Sequence, residues 1–268
     1  MTIPTNPKFN INQVYKPKFL SPSLSILLQG EPGVGKTRLL ATAPLPLLIY
    51  SFDPKGVLVL HNYYKELLDS GMIQYLTYWG DDSSNPTEYL KWEKDWETHI
   101  VSGYLNQFGT VAVDSFTTWM EAAGNAWLQE KNTRRKDGKA LDNLAIGDYP
   151  GLYNLTRTMI KRTAACDTNF ILTAHLEAEK DELTGLIRYV LSTYKGLKTI
   201  VPPLFSEKWV MNKRVIGQEV KYEILTNNQG LYTASTQLKG LAIRETPNIK
   251  ELLKKAGQPY EDKPAFWK

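Results

Sequence analysis

The feature that most constrains this sequence is a glycine-rich segment of eight residues that follows an apolar run. Residues 25–29 suit a strand buried on both faces, and residues 36–43 suit a short helix that Pro44 and Pro46 end. The segment between them fits the pattern G-x-x-x-x-G-K-[ST] and consists of Gly30, Glu31, Pro32, Gly33, Val34, Gly35, Lys36 and Thr37. The pattern and its setting predict a P-loop, a phosphate-binding turn between a strand and a helix.

Each residue type in the P-loop has a physical part in holding phosphate. Glycines let consecutive backbone N–H groups curl around the anion, and the helix that follows adds its positive end. Lys36 is expected to reach the terminal phosphates, and the Thr37 hydroxyl is expected to hold Mg²⁺. We therefore predict that residues 30–37, together with Arg38, bind a nucleotide.

A second apolar strand predicts the other metal anchor that a P-loop needs. Residues 109–113 (GTVAV) run directly into Asp114, which brings a carboxylate to the C-terminal end of a buried strand. Asp114 could instead cap the following helix, but Ser115 is equally suited to that position. Asp114 is therefore predicted to be the Walker B residue and, with Thr37, a ligand of Mg²⁺.

Two more polar residues follow buried strands and are candidates for the hydrolytic step. Asp53 follows residues 47–52, a place from which a carboxylate could activate water, but Asp53-Pro54-Lys55-Gly56 is also a good turn sequence, and both interpretations stay open. His175 follows the apolar residues 169–174, where a sensor of the γ-phosphate would stand, although a lone histidine is more often structural. The predicted catalytic residues are Lys36, Asp53, Asp114 and His175.

Strand-like and helical patterns alternate through most of the chain, which predicts an α/β fold with a mostly parallel sheet flanked by helices. The strand-like runs are residues 25–29, 47–52, 73–79, 109–114 and 169–174, and the helical patterns are residues 36–43, 62–70, 88–105, 117–130 and 151–165. Further on, residues 209–212, 219–226 and 231–234 suggest strands with a turn at 227–230, which predicts an antiparallel pair near the C-terminus. We expect an extended arm over residues 1–24, a core over 25–245, and a helix and tail over 246–268.

Charge and cysteine content exclude several classes of protein. The chain of 268 residues has 32 Lys and Arg against 28 Asp and Glu, so its net charge of +4 is only weakly basic. The single cysteine, Cys166, cannot form an internal disulfide, and no Cys/His cluster has the spacing of a zinc site. Residues 1–19 lack the apolar centre of a signal peptide, and no apolar run is long enough to cross a membrane. A cytoplasmic protein without a membrane partner is expected.

The order of the motifs resembles a known family. In sequence they are GEPGVGKT, a short helix ending in ATAP, Asp53 after the second strand, Asp114-Ser115, Gly147-Asp148-Tyr149 before a helix, and Thr173-Ala174-His175. This arrangement, over residues 25–240, resembles the phage-encoded AAA-type or RecA-like P-loop ATPases related to single-strand annealing proteins, which consist of a recombinase core. One departure is Asp53, because RecA-like enzymes usually have Glu at that place.

The resemblance implies an ATP-hydrolysing, DNA-binding protein of phage-type recombination, single-strand annealing or replication, located in the host cytoplasm. It implies a homo-oligomer, as a ring or a filament, on single-stranded DNA, with a single-strand binding protein as a candidate partner. A basic residue from a neighbouring subunit often completes such a site. Lys239 and Arg244 are the candidates here, although either could equally be a surface base.

RecA-like proteins bind DNA through two loops, and the resemblance places both in this chain. The first is residues 131–139, a predicted loop with five bases and one acid: Lys131, Arg134, Arg135, Lys136 and Lys139 are the bases. The second lies within residues 177–207, where Arg188, Lys195 and Lys198 alternate with tyrosines that could stack on bases or could simply pack.

The base and the reaction leave alternatives open. Guanine recognition generally uses Asn-Lys-x-Asp, and the sequence Asn212-Lys213-Arg214-Val215 lacks the Asp, so ATP is favoured. One rival function is a helicase loader or another P-loop ATPase that acts on a protein partner. Another is a small-molecule kinase, but no acceptor-site motif accompanies the P-loop.

Overall fold

A computed structural model describes residues 23–80, 85–135, 143–180, 182 and 185–267. The described strands are β1 (Ser25–Gly30), β2 (Leu47–Ser51), β3 (Ile73–Thr77), β4 (Thr110–Asp114), β5 (Asn169–Lys180), β6 (Ile187–Leu191), β7 (Glu207–Ile216), β8 (Glu219–Leu225) and β9 (Arg244–Glu245). The described helices are α1 (Lys36–Leu40), α2 (Leu58–Tyr63), α3 (Lys65–Asp69), α4 (Thr87–Val101), α5 (Phe116–Arg134), α6 (Tyr149–Ala164), α7 (Leu197–Ile200) and α8 (Ile249–Lys255).

The strands form one mixed sheet in the order β3-β2-β4-β5-β1-β7-β8-β9, and β6 pairs with the outer part of β5. All pairs from β3 to β7 along this order are parallel, whereas β8, β9 and β6 are antiparallel to their neighbours. The predicted α/β fold, with its mostly parallel sheet and antiparallel C-terminal strands, is confirmed.

The parallel strands end at one edge of the sheet, and this edge collects the polar residues that follow them. The P-loop follows β1, Asp53 follows β2, and Asp114 is the last residue of β4. The β1–β5 register pairs Gly30 with His175, so β5 brings the histidine to the same level. Strand order, rather than sequence distance, therefore decides which of these residues meet.

Helices cover both faces of the sheet and create two apolar layers. One layer contains α4, α5 and α6 and is rich in large aromatic residues such as Trp92 and Trp119. The other contains α1, α2 and α8, with Leu40, Leu60 and Leu252 buried against the sheet. Burial on both faces explains why β1, β2 and β4 are apolar without alternation.

Several predicted elements differ in extent from the observed ones. The single helix expected at residues 62–70 is two helices, α2 and α3, and residues 231–234 form only an isolated bridge in place of a strand. The strand expected to end at residue 174 continues to Lys180, because the outward part of β5 pairs with β6. The polar part of β5 is stabilised mainly by its partner strand, so it lacks the apolar pattern from which a strand is predicted.

The ends of the chain contain two of the regions predicted from sequence. Of the expected arm, residues 1–22 lie outside the described part of the chain. Near the C-terminus, α8 packs into the core, Asp262 accepts a hydrogen bond from the Leu45 backbone at 2.6 Å, and Phe266 packs on Tyr104 and Phe108. The division into a core and a tail stays a prediction. No helix among the described residues has both the length and the apolar character needed to cross a bilayer.

Candidate functional site at the sheet edge

The P-loop turns sharply between β1 and α1. Gly33 and Gly35 have φ angles of 75° and 95°, which lie in the left-handed region where a side chain is disfavoured. Gly35 is the residue before α1, so the positive end of that helix begins at Lys36. The glycines at these two positions are therefore required by the turn itself.

The Lys36 side chain folds back into the P-loop and is buried. Its Nζ donates to the carbonyl oxygens of Gly30 at 2.8 Å and Glu31 at 3.0 Å, and lies 3.1 Å from His175 Nδ1. Burial lowers the pKa of Lys36 to about 8, although the nearby Asp114, Asp53 and Glu31 charges oppose this shift. The ammonium is held where any phosphate in the loop would meet it.

Asp114 is buried between two hydroxyl groups. Thr37 Oγ1 donates to its Oδ2 at 2.7 Å, and Thr173 Oγ1 donates to its Oδ1 at 2.5 Å. Burial, and then the charge of Asp53, raise the pKa of Asp114 despite these hydrogen bonds. The negative charge of Asp114 is thus only partly compensated by its neighbours.

The Asp53 carboxylate points into the same cluster while its backbone forms the turn expected from the sequence. Gly56 N donates to Asp53 O at 3.1 Å, and the carboxylate Oδ1 accepts from Ser115 Oγ at 2.8 Å and from Thr118 Oγ1 at 2.6 Å. Burial raises its pKa, but hydrogen bonds from His175, Thr118 and Ser115 outweigh burial and lower the pKa overall. Asp53 is therefore ionised, oriented, and part of a turn.

His175 lies between a cation and a carboxylate. An ammonium has only donors, so Nδ1 accepts from Lys36 and the ring proton resides on Nε2. Nε2 faces Asp53 Oδ2 at 3.5 Å. The sheet edge thus brings together all four predicted catalytic residues. Asp114 contacts Thr37, the neighbour of Lys36 in the chain, and Lys36 contacts His175, which faces Asp53.

Beside the P-loop lies an open cleft of about 420 Å³. Arg38 and the aromatic residues Tyr63 and Tyr222 line it, and the Arg38 guanidinium lies 4.1 Å above the Tyr63 ring. Arg38, predicted from its place next to the P-loop, is in this cleft, whereas the two tyrosines were not predicted. They come from α2 and β8, which only the fold brings together.

The first predicted DNA-binding loop begins as a helix. Residues 131–134 form the last turn of α5, about 27 Å along the helix axis from Phe116, and not a loop. Lys131 Nζ binds the Asp148 carboxylate at 2.7 and 2.9 Å, and Arg134 pairs with Glu130 one turn earlier. Arg135 is exposed, and Lys136 and Lys139 lie outside the described residues. A helix here is the natural continuation of α5, since Lys131 and Arg134 favour the negative C-terminal end.

The second predicted segment is a strand pair followed by a turn and α7. Lys198 lies 2.9 Å from Glu177 and 3.4 Å from Glu179, and its side chain is only 16% exposed. Arg188 and Lys195 are exposed. Tyr189 stacks on Tyr232, so this tyrosine is used in packing. Of the three cations predicted to bind DNA in this segment, Lys198 is paired, whereas Arg188 and Lys195 face solvent.

The two candidates for a trans-acting finger also differ. Arg244 donates to the buried Glu223 carboxylate on β8, which Arg214 also binds at 3.0 Å. Lys239 is exposed. Arg244 is thus held by its own protomer, while Lys239 is accessible.

Of the hydroxyl groups that hold the two carboxylates, Thr37 was a predicted site residue, whereas Thr173, Ser115 and Thr118 were not. Ser115 precedes α5 as expected of an N-cap, but its side chain makes no cap hydrogen bond and donates to Asp53 instead. Thr173 reaches Asp114 because β4 and β5 are neighbours whose parallel register carries Val113 to Leu172. Aligning the ends of these two strands in the sequence would have suggested the Thr173 contact.

The sheet and the loop define a class of protein, an α/β protein with a P-loop at the C-terminal edge of a mostly parallel sheet. A family described as an AAA domain matches residues 23–237. The match covers most of the chain, and the chain belongs to this family of P-loop ATPase type.

Two solved structures match this chain at low sequence identity. The flagellar accessory protein FlaH from Methanocaldococcus jannaschii has 15% sequence identity and a TM-score of 0.42, with 75% of this chain and 76% of that chain covered. The KaiC-like protein PH0186 from Pyrococcus horikoshii OT3 has 11% identity and a TM-score of 0.41, with 75% and 77% covered. No curated protein matches the sequence.

Proposed function

We propose that this chain is a Mg²⁺-dependent ATPase that acts as a homo-oligomer on single-stranded DNA, in phage-type recombination, annealing or replication in the cytoplasm. The observation that carries the ATPase part is the cluster at the sheet edge. Asp114 ends β4, Asp53 follows β2, His175 lies within β5 and Lys36 begins α1, and these residues meet beside the phosphate-binding loop. Burial lowers the pKa of Lys36 and raises that of Asp114, so a ligand of opposite charge would stabilise the ionised form of each.

The residues present fit Mg²⁺. Thr37 offers a hydroxyl oxygen and Asp114 a carboxylate oxygen, which are ligand types that this hard cation prefers. Burial raises the pKa of the Asp114 carboxyl, so a cation beside it would stabilise its ionised form. When bound, Mg²⁺ neutralises charge on phosphate oxygens.

The side chains around this position can divide the remaining work of hydrolysis. The Lys36 ammonium can exchange its carbonyl and imidazole acceptors for the terminal phosphate oxygens. Asp53 is held by the Ser115 and Thr118 hydroxyls, and its lowered pKa suits a group that orients a water molecule more than one that keeps its proton. His175 contacts both Lys36 and Asp53, so it is placed to sense a change at either.

The cleft beside the P-loop supports an adenine nucleotide. Tyr63 and Tyr222 provide aromatic surfaces for a purine, and Arg38 adds a cation near the phosphates. In the described part of the chain, no cleft-lining residue has the carboxylate that commonly recognises guanine. ATP is therefore the proposed substrate.

The DNA part of the proposal rests on the resemblance and on the exposed cations. Arg188 and Lys195 face solvent on the β6 side of the sheet edge, beyond the strand that contains His175. Exposed cations contribute to binding a polyanion by releasing counterions. A single-strand binding protein is the proposed accessory partner, and Lys239 remains the accessible candidate for a finger.

The test measures ATP hydrolysis and DNA binding separately. Phosphate release with Mg²⁺, and with EDTA as a control, should show metal-dependent turnover. Fluorescence anisotropy with labelled single- and double-stranded DNA, with and without ATP, should show tighter binding to the single strand when ATP is present. Turnover without any DNA binding at low salt would favour a helicase loader, and absence of ATP binding would overturn the proposal.

A further inference from the structure

A two-stranded arm extends from β7 and β8 past the rest of the sheet. β1 pairs with β7 only as far as Val210, and β9 pairs with β8 only at Ile224 and Leu225. Beyond these points, residues 212–216 and 219–223 pair with each other through a turn at Gly217 and Gln218. Five residues at about 3.3 Å each give an arm of about 17 Å. Residues 212–223 are called the hairpin arm.

One face of the hairpin arm is apolar and has a single cation. Directly opposed residues of an antiparallel pair share a face, so Lys213 with Tyr222 and Val215 with Val220 lie on the same side. Val215 is 72% exposed, Val220 51% and Tyr222 42%. No acid lies on this face, because Glu219 and Glu223 belong to the other side. Exposed apolar side chains on an unpaired edge favour burial against a partner.

A groove with the opposite charge lies elsewhere on the molecule, between α4, α5 and α6. Its volume is about 450 Å³, and its apolar lining includes Leu90, Ala126, Trp127 and Leu155. Leu90 is 51% exposed. The groove therefore offers an apolar surface of the kind that the hairpin arm needs.

The charge in this groove is an acid without a basic partner. Glu93 and Glu130 lie in the wall, and Glu130 pairs with Arg134. Among the described residues, no basic side chain pairs with Glu93. Burial, and then the charges of Glu130 and Glu97, raise the pKa of the Glu93 carboxyl. A cation placed against Glu93 would stabilise its ionised carboxylate.

We propose that the apolar face of the hairpin arm in one copy docks into the groove of a second copy, with Lys213 against Glu93 and Val215 and Val220 against Leu90 and Trp127. The two surfaces match in apolar character, and the groove wall, with Glu93, Glu130 and Arg134, has one more acid than base against the single cation of the arm. They lie in different parts of the chain, so the contact is heterologous and repeats from copy to copy, which gives a ring or a filament.

This inference names the contact surfaces of the proposed homo-oligomer and rests on that part of the proposed function. It also ties assembly to the nucleotide. Met211 and Tyr222 both line the cleft beside the P-loop, and Tyr222 lies on the docking face of the arm. A copy docked on the arm would therefore lie next to the bound base, and we expect ATP to change the strength of assembly.

The test uses charge reversal at each surface. Lys213→Glu and Glu93→Lys should each weaken self-association by about a hundredfold or more, because like charges would then face each other. The matched controls are Lys161→Glu and Glu66→Lys, which make the same charge changes at exposed positions outside both surfaces. Light scattering after size-exclusion chromatography measures the mass, and circular dichroism checks that each variant is folded.

Mixing the two variants distinguishes this contact from any other. In the mixture, the native Lys213 of the Glu93→Lys protein faces the native Glu93 of the Lys213→Glu protein, and the two reversed charges also attract each other. The mixture should therefore regain the assembly that each variant loses by itself. The double variant should regain self-association. In a Cys166→Ser background, Val215→Cys in one copy should form a disulfide with Leu90→Cys in another.

Three results would overturn the inference. They are single variants that assemble like the wild type, a mixture that fails to assemble, and a monomeric wild-type protein. Only the last result would also remove the homo-oligomer from the proposed function. ATP hydrolysis, measured on the same samples, shows independently whether the nucleotide part of that function stands.

Discussion

The sheet edge beside the P-loop and the basic segments beyond it use charge in opposite ways. At the edge, Asp114 and Lys36 are buried. Burial raises the pKa of Asp114 and lowers the pKa of Lys36, and each shift favours the neutral form. In the segments, Lys131, Arg134 and Lys198 pair with acids from nearby turns or strands of the same protomer. A count of cations therefore predicts a DNA-binding site poorly unless the acids that pair with them are known.

The physical difference lies in solvation. Surface ion pairs contribute about 0–1 kcal/mol, so they form and break easily and say little about function. A buried charge that is incompletely paired is costly, and its presence needs a compensating ligand or network.

Replacing the P-loop lysine should have the largest effect. Lys36→Ala removes the cation that meets the terminal phosphates, and we expect hydrolysis to fall by roughly a thousandfold, with much weaker ATP binding. Phosphate release and binding of a fluorescent ATP analogue measure both. Lys55→Ala, at an exposed lysine near the same edge, is the control and should retain activity. Unchanged turnover in Lys36→Ala would remove the nucleotide site from this edge.

Asp114→Asn should separate activity from stability. Turnover should fall by roughly a few hundredfold, because the carboxylate acts through Mg²⁺. The folded-state pKa of Asp114 is raised, so its ionised form costs stability at neutral pH, and a neutral Asn should leave the melting temperature unchanged or higher. Activity assays and thermal melts check both parts. A variant that melts earlier and keeps its turnover would identify Asp114 as a structural residue.

Asp53→Asn tests the water-orienting role against the turn. The amide keeps one acceptor oxygen for Ser115 and Thr118 and suits the turn. The atom that faces His175 becomes an NH₂ group, which donates and cannot accept. We expect hydrolysis to fall about a hundredfold while ATP affinity stays within a few-fold. A parallel loss of rate, affinity and melting temperature would assign Asp53 to the turn alone.

The lowered pKa of Lys36 predicts a pH dependence of ATP affinity. Its side chain is charged below its pKa of about 8 and neutral above it, and only the charged form attracts phosphate. The dissociation constant should therefore be flat below about pH 7 and should rise toward tenfold per pH unit above about pH 8. Titrations of the wild type and of Lys36→Arg, which stays charged, measure the effect. Parallel profiles would exclude Lys36 as its source.

The smallest effects are expected in DNA binding. Arg188→Ala with Lys195→Ala removes two exposed cations and should reduce the log–log salt slope by about 1.4, at about 0.7 per phosphate contact. Lys131→Ala with Arg134→Ala removes two paired cations and should reduce it by less than half as much. Anisotropy across a salt series makes the comparison. Equal reductions would mean that the ion pairs at the end of α5 open for DNA.

The residues that meet at the sheet edge could be selected from the sequence because their signals are local. The P-loop is contiguous, and Asp53, Asp114 and His175 each directly follow or end an apolar strand. Parallel strands bring such residues to one edge in any order. The outward part of β5 and all of β6 could not be predicted in this way, since their polar sequences are stabilised by pairing with each other.

Apolar periodicity was enough to predict the fold class, because it is a pattern within each strand and helix. The phosphate loop and the charged residues beside it could be predicted because a contiguous motif and the ends of apolar runs mark them. The tertiary structure decided which charges are satisfied. Thr173 meets Asp114 because β5 lies beside β4, and Arg244 meets Glu223 because β9 lies beside β8. Strand order joins residues far apart in the chain, and no local pattern encodes that order.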